Sequence, residues 1–103
     1  MTNKDPIFSM LGLCKKAGKL KSGAYSVEET VKSQKAALVI MASDASDRTK
    51  KSTRDMCTYY DAPLWEYGTK ETLSAAIGQD NRVSVVITDR SFADELIKRL
   101  SKV

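Results

Sequence analysis

Apolar positions along this chain change period repeatedly, and each change predicts an element. Ile7, Met10, Leu11 and Cys14 recur at helical spacing, so residues 6–17 read as an amphipathic helix. Asp5-Pro6 supplies an N-cap with proline in the first turn, and Gly18 supplies the stop. Residues 19–22 read as a short extended piece, and Gly23 begins a turn. Val27 and Val31 mark one face of a second helix over 24–34. Residues 37–42 are apolar at every position, the signature of a strand buried on both faces. A polar run, Ser43-Asp44-Ala45-Ser46-Asp47, follows at once and carries helix-start chemistry. The third helix runs over 46–60. Pro63 breaks the chain before a strand at 64–67. Thr69 caps a short helix that Gly78 ends. Residues 83–88 form another apolar strand, and Ser91-Phe-Ala-Asp94 has capping-box form at the start of the last helix.

Helix and strand therefore alternate from end to end with short connections. That order predicts an α/β fold, a small sheet between two helix layers. Crossovers through helices imply mainly parallel pairing among the later strands, with the short first strand free to pair either way. Ligands in such sheets gather where strands end and helices begin. Three polar or glycine-bearing loops are candidates for one such edge: 22–26, 43–47 and 79–83.

At 103 residues the chain is the size of one domain. A domain of this size buries roughly two thirds of the surface its unfolded chain exposes, enough for a core without a disulfide or metal staple. No apolar run approaches the roughly 20 residues of a membrane span, and no secretory leader pattern stands at the N-terminus. Cys14 and Cys57 fit no metal spacing and fall on apolar helix faces, so free thiols and a cytoplasmic setting are expected. The chain has no histidine, which removes Ser–His and Cys–His nucleophile pairs and the commonest metal ligand. No cofactor is expected: Gly12, Gly18 and Gly23 are too widely spaced for a phosphate loop or a dinucleotide fingerprint.

Charge alters the picture more. Residues 1–60 hold eleven Lys or Arg against six Asp or Glu, whereas residues 61–103 hold six against seven. A basic half points to an anionic partner, nucleic acid foremost. The third helix carries Arg48, Lys50, Lys51 and Arg54; Lys50 and Arg54 share one face, Arg48 and Lys51 a neighbouring one. The face of Arg48 and Lys51 begins nearest the helix start, where backbone N–H groups also attract anions. Lys19 and Lys21 precede the Gly23 turn as candidate backbone clamps, or as charges that protect an edge strand. Asp44 is expected to cap the third helix, and Arg82 to reach nucleic acid or a nearby carboxylate. Trp65 and Tyr67 share one side of their strand and read as sheet cover. Tyr59 and Tyr60 point in different directions, so at most one joins the core.

Four segments carry a family resemblance: G-A-Y-S-V-E-E at 23–29, A-L-V-I-M-A at 37–42, S-D-A-S-D-R-T-K-K at 43–51 and C-T-Y-Y-D-A-P at 57–63. With A-I-G-x-x-x-R-V-x-V-V-I-T-D-x-x-F-A at 76–93, they cover nearly the whole chain. The chain resembles the kink-turn RNA-binding ribosomal proteins of the L7Ae/L30e superfamily, and most closely their bacterial YlxQ-type branch. The resemblance implies a three-layer α/β/α sandwich, L30e-like, with a small mixed sheet. It also implies an RNA site at the same three loops, built from Gly23, Tyr25, Ser26, Asp44, Asn81, Arg82 and Val83 beside Lys19, Lys21, Arg48 and Lys51. Members recognise a kinked internal loop with sheared G·A pairs, since A-form RNA is read through bulges and distorted shapes.

The chain departs from the strong-binder pattern Gly-x-Asn-Glu-x-x-Lys. Tyr25 stands at the Asn position, Ser26 at the Glu position and Glu29 at the Lys position. The expectation is a non-catalytic, monomeric, cytoplasmic protein that binds structured RNA, ribosomal RNA foremost, with ribosome or translation and transcription factors as further partners and no membrane. The alternative is a protein-interaction module of that machinery with weak or no kink-turn binding. A phosphate-receiver domain built on Asp44 needs a second acidic cluster near the N-terminus, and only Asp5 is there.

Overall fold

The computed structural model describes residues 5–103, where four strands and five helices alternate. In order they are α1 (Pro6–Lys16), β1 (Leu20–Ser22), α2 (Ala24–Lys32), β2 (Leu38–Met41), α3 (Asp47–Tyr59), β3 (Leu64–Glu66), α4 (Lys70–Ala76), β4 (Ser84–Ile87) and α5 (Arg90–Leu100). The strands form one sheet in the order β1-β4-β2-β3.

Burial on both faces of β2 and β4 makes the three layers. Leu38, Ile40, Val85 and Ile87 face one side and pack with Ile7, Leu11 and Cys14 of α1, Leu73 of α4 and Leu96 and Leu100 of α5. Val39 and Val86 face the other side and pack with Val27 and Val31 of α2 and Cys57 of α3. Period-2 alternation along two apolar strands thus divides the core between two helix layers. Trp65 and Tyr67 both pack on the α1/α4/α5 side, and the Tyr67 ring sits 5.3 Å from that of Phe8. Tyr60 joins the opposite cluster while Tyr59 is 78% exposed. Cys14 and Cys57 are buried free thiols, and burial pushes both above the usual thiol range, Cys14 to about 11.

The sheet is mixed, and the expected parallel pairing among the later strands holds for only one pair. β2 and β3 are parallel, but β4 runs antiparallel to both β2 and β1. The cause is α4. A seven-residue helix is only about 10 Å long. It carries the chain across the end of the sheet where β2 and β3 finish, from Gly68, which accepts from Ser43 N (2.7 Å), to Val83, which accepts from Ala42 N (2.8 Å). The chain therefore enters β4 at that same end instead of returning to the other.

Two expected caps move. Ser46, not Asp44, caps α3: its Oγ accepts from Thr49 N at 3.1 Å. Asp44 reaches across to α4, where Oδ1 accepts from Lys70 N at 2.9 Å. The capping-box form at Ser91 is not used either, because Asp89 lies one residue before the helix and accepts from Phe92 N at 2.9 Å. In both cases a carboxylate and a serine stood two residues apart, and the backbone register decided between them. Asp5 caps α1 and Thr69 caps α4, as expected.

Candidate nucleic-acid interface

Backbone hydrogen bonds draw the three loops to one end of the sheet. Gly23 N donates to Ser84 O at 3.2 Å, which joins the start of α2 to the start of β4. Ala42 N donates to Val83 O, which joins the end of β2 to the same place. Asp44 then ties the loop after β2 to the start of α4. A cavity of about 620 Å³ lies between Asp44, Lys70, Ser74 and residues 79–81.

Gly23 sits at φ +95°, a backbone conformation that L side chains rarely adopt. It begins α2 without a side-chain cap, so the first-turn N–H groups of α2 are left to whatever binds there. Over the Gly23 Cα lies the Arg82 guanidinium, whose Nη1 would be 3.5 Å from an added Cβ. Arg82 has no ion pair among the described residues. Its Nη2 donates to Gln79 Oε1 at 3.2 Å, and its buried Nε has no partner. Ser74 of α4 fixes the Arg82 backbone: Ser74 Oγ accepts from Arg82 N at 2.8 Å and donates to Arg82 O at 3.3 Å. A cation and an open helix N-terminus thus face the same space, an arrangement suited to phosphate oxygens.

The N-terminus of α3, the other candidate, is already served. Ser46 caps it and Asp47 places a carboxylate in its first turn. The cations along α3 separate as their spacing predicts. Lys50 (3.5 Å) and Arg54 both pair with Glu66 of β3, and the Arg54 hydrogen bond holds the Glu66 carboxyl below its usual range. Lys51 pairs with Asp55 at 3.0 Å, with both side chains exposed, a contact of the kind that contributes only about 0–1 kcal/mol and releases readily. Arg48 is exposed and has no ion pair among the described residues.

Tyr25 is 75% exposed on the first turn of α2, and Ser26 lies partly buried beside it. Asn81 is exposed with φ +55°, while Val83 is half-buried and lines a groove of about 690 Å³ between α2 and α3. Lys19 lies elsewhere. Its carbonyl accepts from Thr88 N at the far end of β4, four residues from Gly23, or about 13 Å at 3.3 Å per residue. Lys21 shares a cavity with Glu29, Lys35 and Thr88 on the α2 side of β1. The loop end therefore brings together Gly23, Tyr25, Ser26, Asp44, Arg82 and Val83, flanked by Arg48 and Asn81, and leaves Lys19 outside.

Sequence reasoning missed Ser74. The available signal was a hydroxyl within the buried register Leu73, Ser74, Ile77 of a short helix, where an unpartnered polar atom is costly. It also missed Gln79 as the guanidinium's partner, for which the polar loop offered no signal.

Comparison with known proteins agrees with the fold. The profile of the Ribosomal protein L7Ae/L30e/S12e/Gadd45 family matches residues 5–97. The chain is 38% identical over 93 residues to the RNA-binding protein YlxQ of Bacillus subtilis, covering 90% of this chain and 93% of that one. It is 32% identical over 91 residues to the YlxQ protein of Enterococcus faecium, covering 88% and 87%. Among solved structures, a Bacillus halodurans protein of unknown function superimposes with a TM-score of 0.90 at 33% identity, over 95% of this chain and 99% of that one. A Giardia lamblia 15.5 kD RNA-binding protein shares the fold, with a TM-score of 0.77 at 22% identity over 94% and 83%. With its mixed sheet, its three joined loops and these relatives, the chain belongs to the ribosomal protein L7Ae/L30e/S12e/Gadd45 family, in its YlxQ-type bacterial branch.

Proposed function

We propose that this protein binds structured RNA at the three-loop end, with no chemistry of its own. The observation that carries the reading is the Arg82 guanidinium held over the uncapped start of α2 without a carboxylate partner. Arg82 and the first-turn N–H groups take phosphate oxygens. Arg48 and Lys51 extend that contact along α3. Tyr25 offers a face for a base to stack on, and Ser26 and Asn81 offer hydrogen bonds to exposed base edges. Val83 supplies a small apolar contact, and Asp44 acts by holding the start of α4 in place. Two curated relatives carry RNA-binding names, which supports the reading. A monomer acting on ribosomal RNA in the setting of translation is the finer form of the proposal.

The test is a titration, followed by fluorescence anisotropy, of a hairpin whose internal loop carries sheared G·A pairs, against the same hairpin fully paired. The looped hairpin should bind more tightly. If six phosphates are neutralised, its log–log salt slope should be about −5. Arg48→Gln/Arg82→Gln should weaken binding by about tenfold or more, since hydrogen bonds to charged groups contribute about 1.5–3 kcal/mol each. Equal affinity for both hairpins, or a flat salt dependence, would refute the reading.

A second reading, a protein-interaction module with weak or no kink-turn binding, draws on one observation. Apolar residues Ala24, Val27, Met56 and Val83 help line the groove between α2 and α3, next in sequence to the positions where Tyr25, Ser26 and Glu29 replace the strong-binder residues. Co-purification of a protein that survives nuclease treatment, together with failure of the hairpin titration, would favour it.

A further inference from the structure

The lysines that the loop end leaves out are not scattered. Gly18 N donates to Lys15 O and Lys19 N to Cys14 O, so Lys15, Lys16 and Lys19 stand together where α1 passes into β1. Thr88 N and Oγ1 both donate to Lys19 O, which brings the end of β4 to the same place. Thr88 in turn shares a cavity with Lys21 and Lys35. Ala37 N donates to Ile87 O, which holds the chain just after Lys35 against β4. These five lysines are exposed and form no ion pair among the described residues. Lys21 lies on β1, two residues before Gly23, and the other four lie towards the end of the sheet opposite the loops.

Two carboxylates of this region are accounted for. Asp89 is committed to the α5 cap. Glu29 lies in the cavity with Lys21 and Lys35. Local causes account for some of the lysines singly. The helix dipole favours Lys15 and Lys16 at the end of α1, and an edge strand gains from Lys19 and Lys21. Neither cause places Lys35 in one cavity with Lys21.

We infer that the β1 edge is a second RNA contact: a track of Lys21, Lys35, Lys19, Lys15 and Lys16 that takes the phosphate backbone of a stem leaving the loop end. The inference rests on the RNA-binding reading above and extends it to the partner's shape. A stem long enough to pass along the molecule, whose greatest extent is 37 Å, reaches the track. A hairpin confined to the loop end does not. Contact here is with the backbone, so it adds affinity and salt dependence without base specificity. Glu29 interrupts the track and weakens it.

The test uses two hairpins with the same internal loop: one with stems that end within the loop face, and one with a single stem extended past the opposite end of the sheet. Lys16→Gln/Lys19→Gln/Lys35→Gln should bind the short hairpin as the unmodified protein does, which also reports that it is folded. On the long hairpin it should lose about three units of salt slope, at about 0.9 per phosphate contact. Between 50 and 200 mM salt that difference changes relative affinity by about 40-fold. Glu29→Gln should act in the opposite direction, tightening the long hairpin. The inference is overturned if the triple variant keeps the unmodified slope on the long hairpin, or if extending the stem adds no affinity. If the unmodified protein binds neither hairpin, the RNA-binding reading fails and the track falls with it. Binding of the short hairpin alone overturns only the track.

Discussion

Replacing Ser74 by alanine tests whether α4 holds Arg82 in place. Ser74 is 5% exposed, and its hydroxyl is the only side-chain partner of the Arg82 N–H and C=O among the described residues. Alanine preserves the helix and changes the volume little, so the effect comes from the unpaired groups. Leaving a buried donor without a partner costs about 1–3 kcal/mol. Water reaching the half-buried loop repays part of that, so about 1–2 kcal/mol is expected. For a domain of this size each kcal/mol lowers Tm by about 4–8 °C, which gives a drop of about 4–16 °C by circular dichroism. Amide exchange adds the spatial test: Arg82 N–H should lose protection more than the strand amides of Val85 or Val86, and affinity for the looped hairpin should fall with it. A Tm within about 2 °C of the unmodified protein, with Arg82 still protected, would refute the claim that Ser74 positions the loop.

Asp89→Ala should cost about 1 kcal/mol through loss of the α5 cap, whereas Ser91→Ala should stay within about 0.5 kcal/mol, and chemical denaturation of the pair checks which residue caps the helix. Gly68→Ala should destabilise by about 2–5 kcal/mol, because φ is +72° and the new Cβ would lie 2.8 Å from Phe8 Cζ. In a Phe8→Leu background the same change should cost less, and a double-mutant cycle on unfolding free energies isolates that crowding. The contribution of Cys14 to stability should be constant below pH 9 and fall towards pH 11: the unfolded chain releases the Cys14 proton near the ordinary value of 9.0, while the folded chain holds it to about 11. Denaturant midpoints across that range should fall less steeply in Cys14→Ala.

Most of the framework was legible because its signals are local and reinforce one another. The apolar run at 37–42, the capped and glycine-terminated helices and the short connections left few alternatives to a sheet between helix layers. Strand direction was not legible. Whether β4 runs with or against β2 depends on where a short helix delivers the chain, and periodicity carries no information on that. The caps at Ser46 and Asp89 were hidden for a related reason: each lies near another residue of equal capping ability, and one residue of register chooses between them. The convergence of the three loops was legible from element order alone, but the fate of each cation was not. Lys50 and Arg54 are held by Glu66, a residue of a different strand, and Lys19 is carried away by the direction of β1.

What builds the site and what reads through it are separate sets of atoms. The loops are joined by main-chain bonds between Gly23 and Ser84, Ala42 and Val83, and Ser43 and Gly68. They are secured by Asp44, at the surface, on Lys70 N and by the buried Ser74 on Arg82. Tyr25 and Arg48 are exposed and form no side-chain hydrogen bond or ion pair among the described residues, whereas Asn81, also exposed, holds φ +55°. Ser26 contributes its carbonyl, not its hydroxyl, to the bond with Thr30 Oγ1. Substitution at Tyr25 and Arg48 therefore meets little resistance from stability, since exposed changes usually stay within about 0.5 kcal/mol. A chain can keep this scaffold while Tyr25, Ser26 and Glu29 replace the strong-binder residues. Its RNA preference is thus free to drift faster than its fold, and the charges along the β1 edge become a second means of holding a partner whose bases are read less closely.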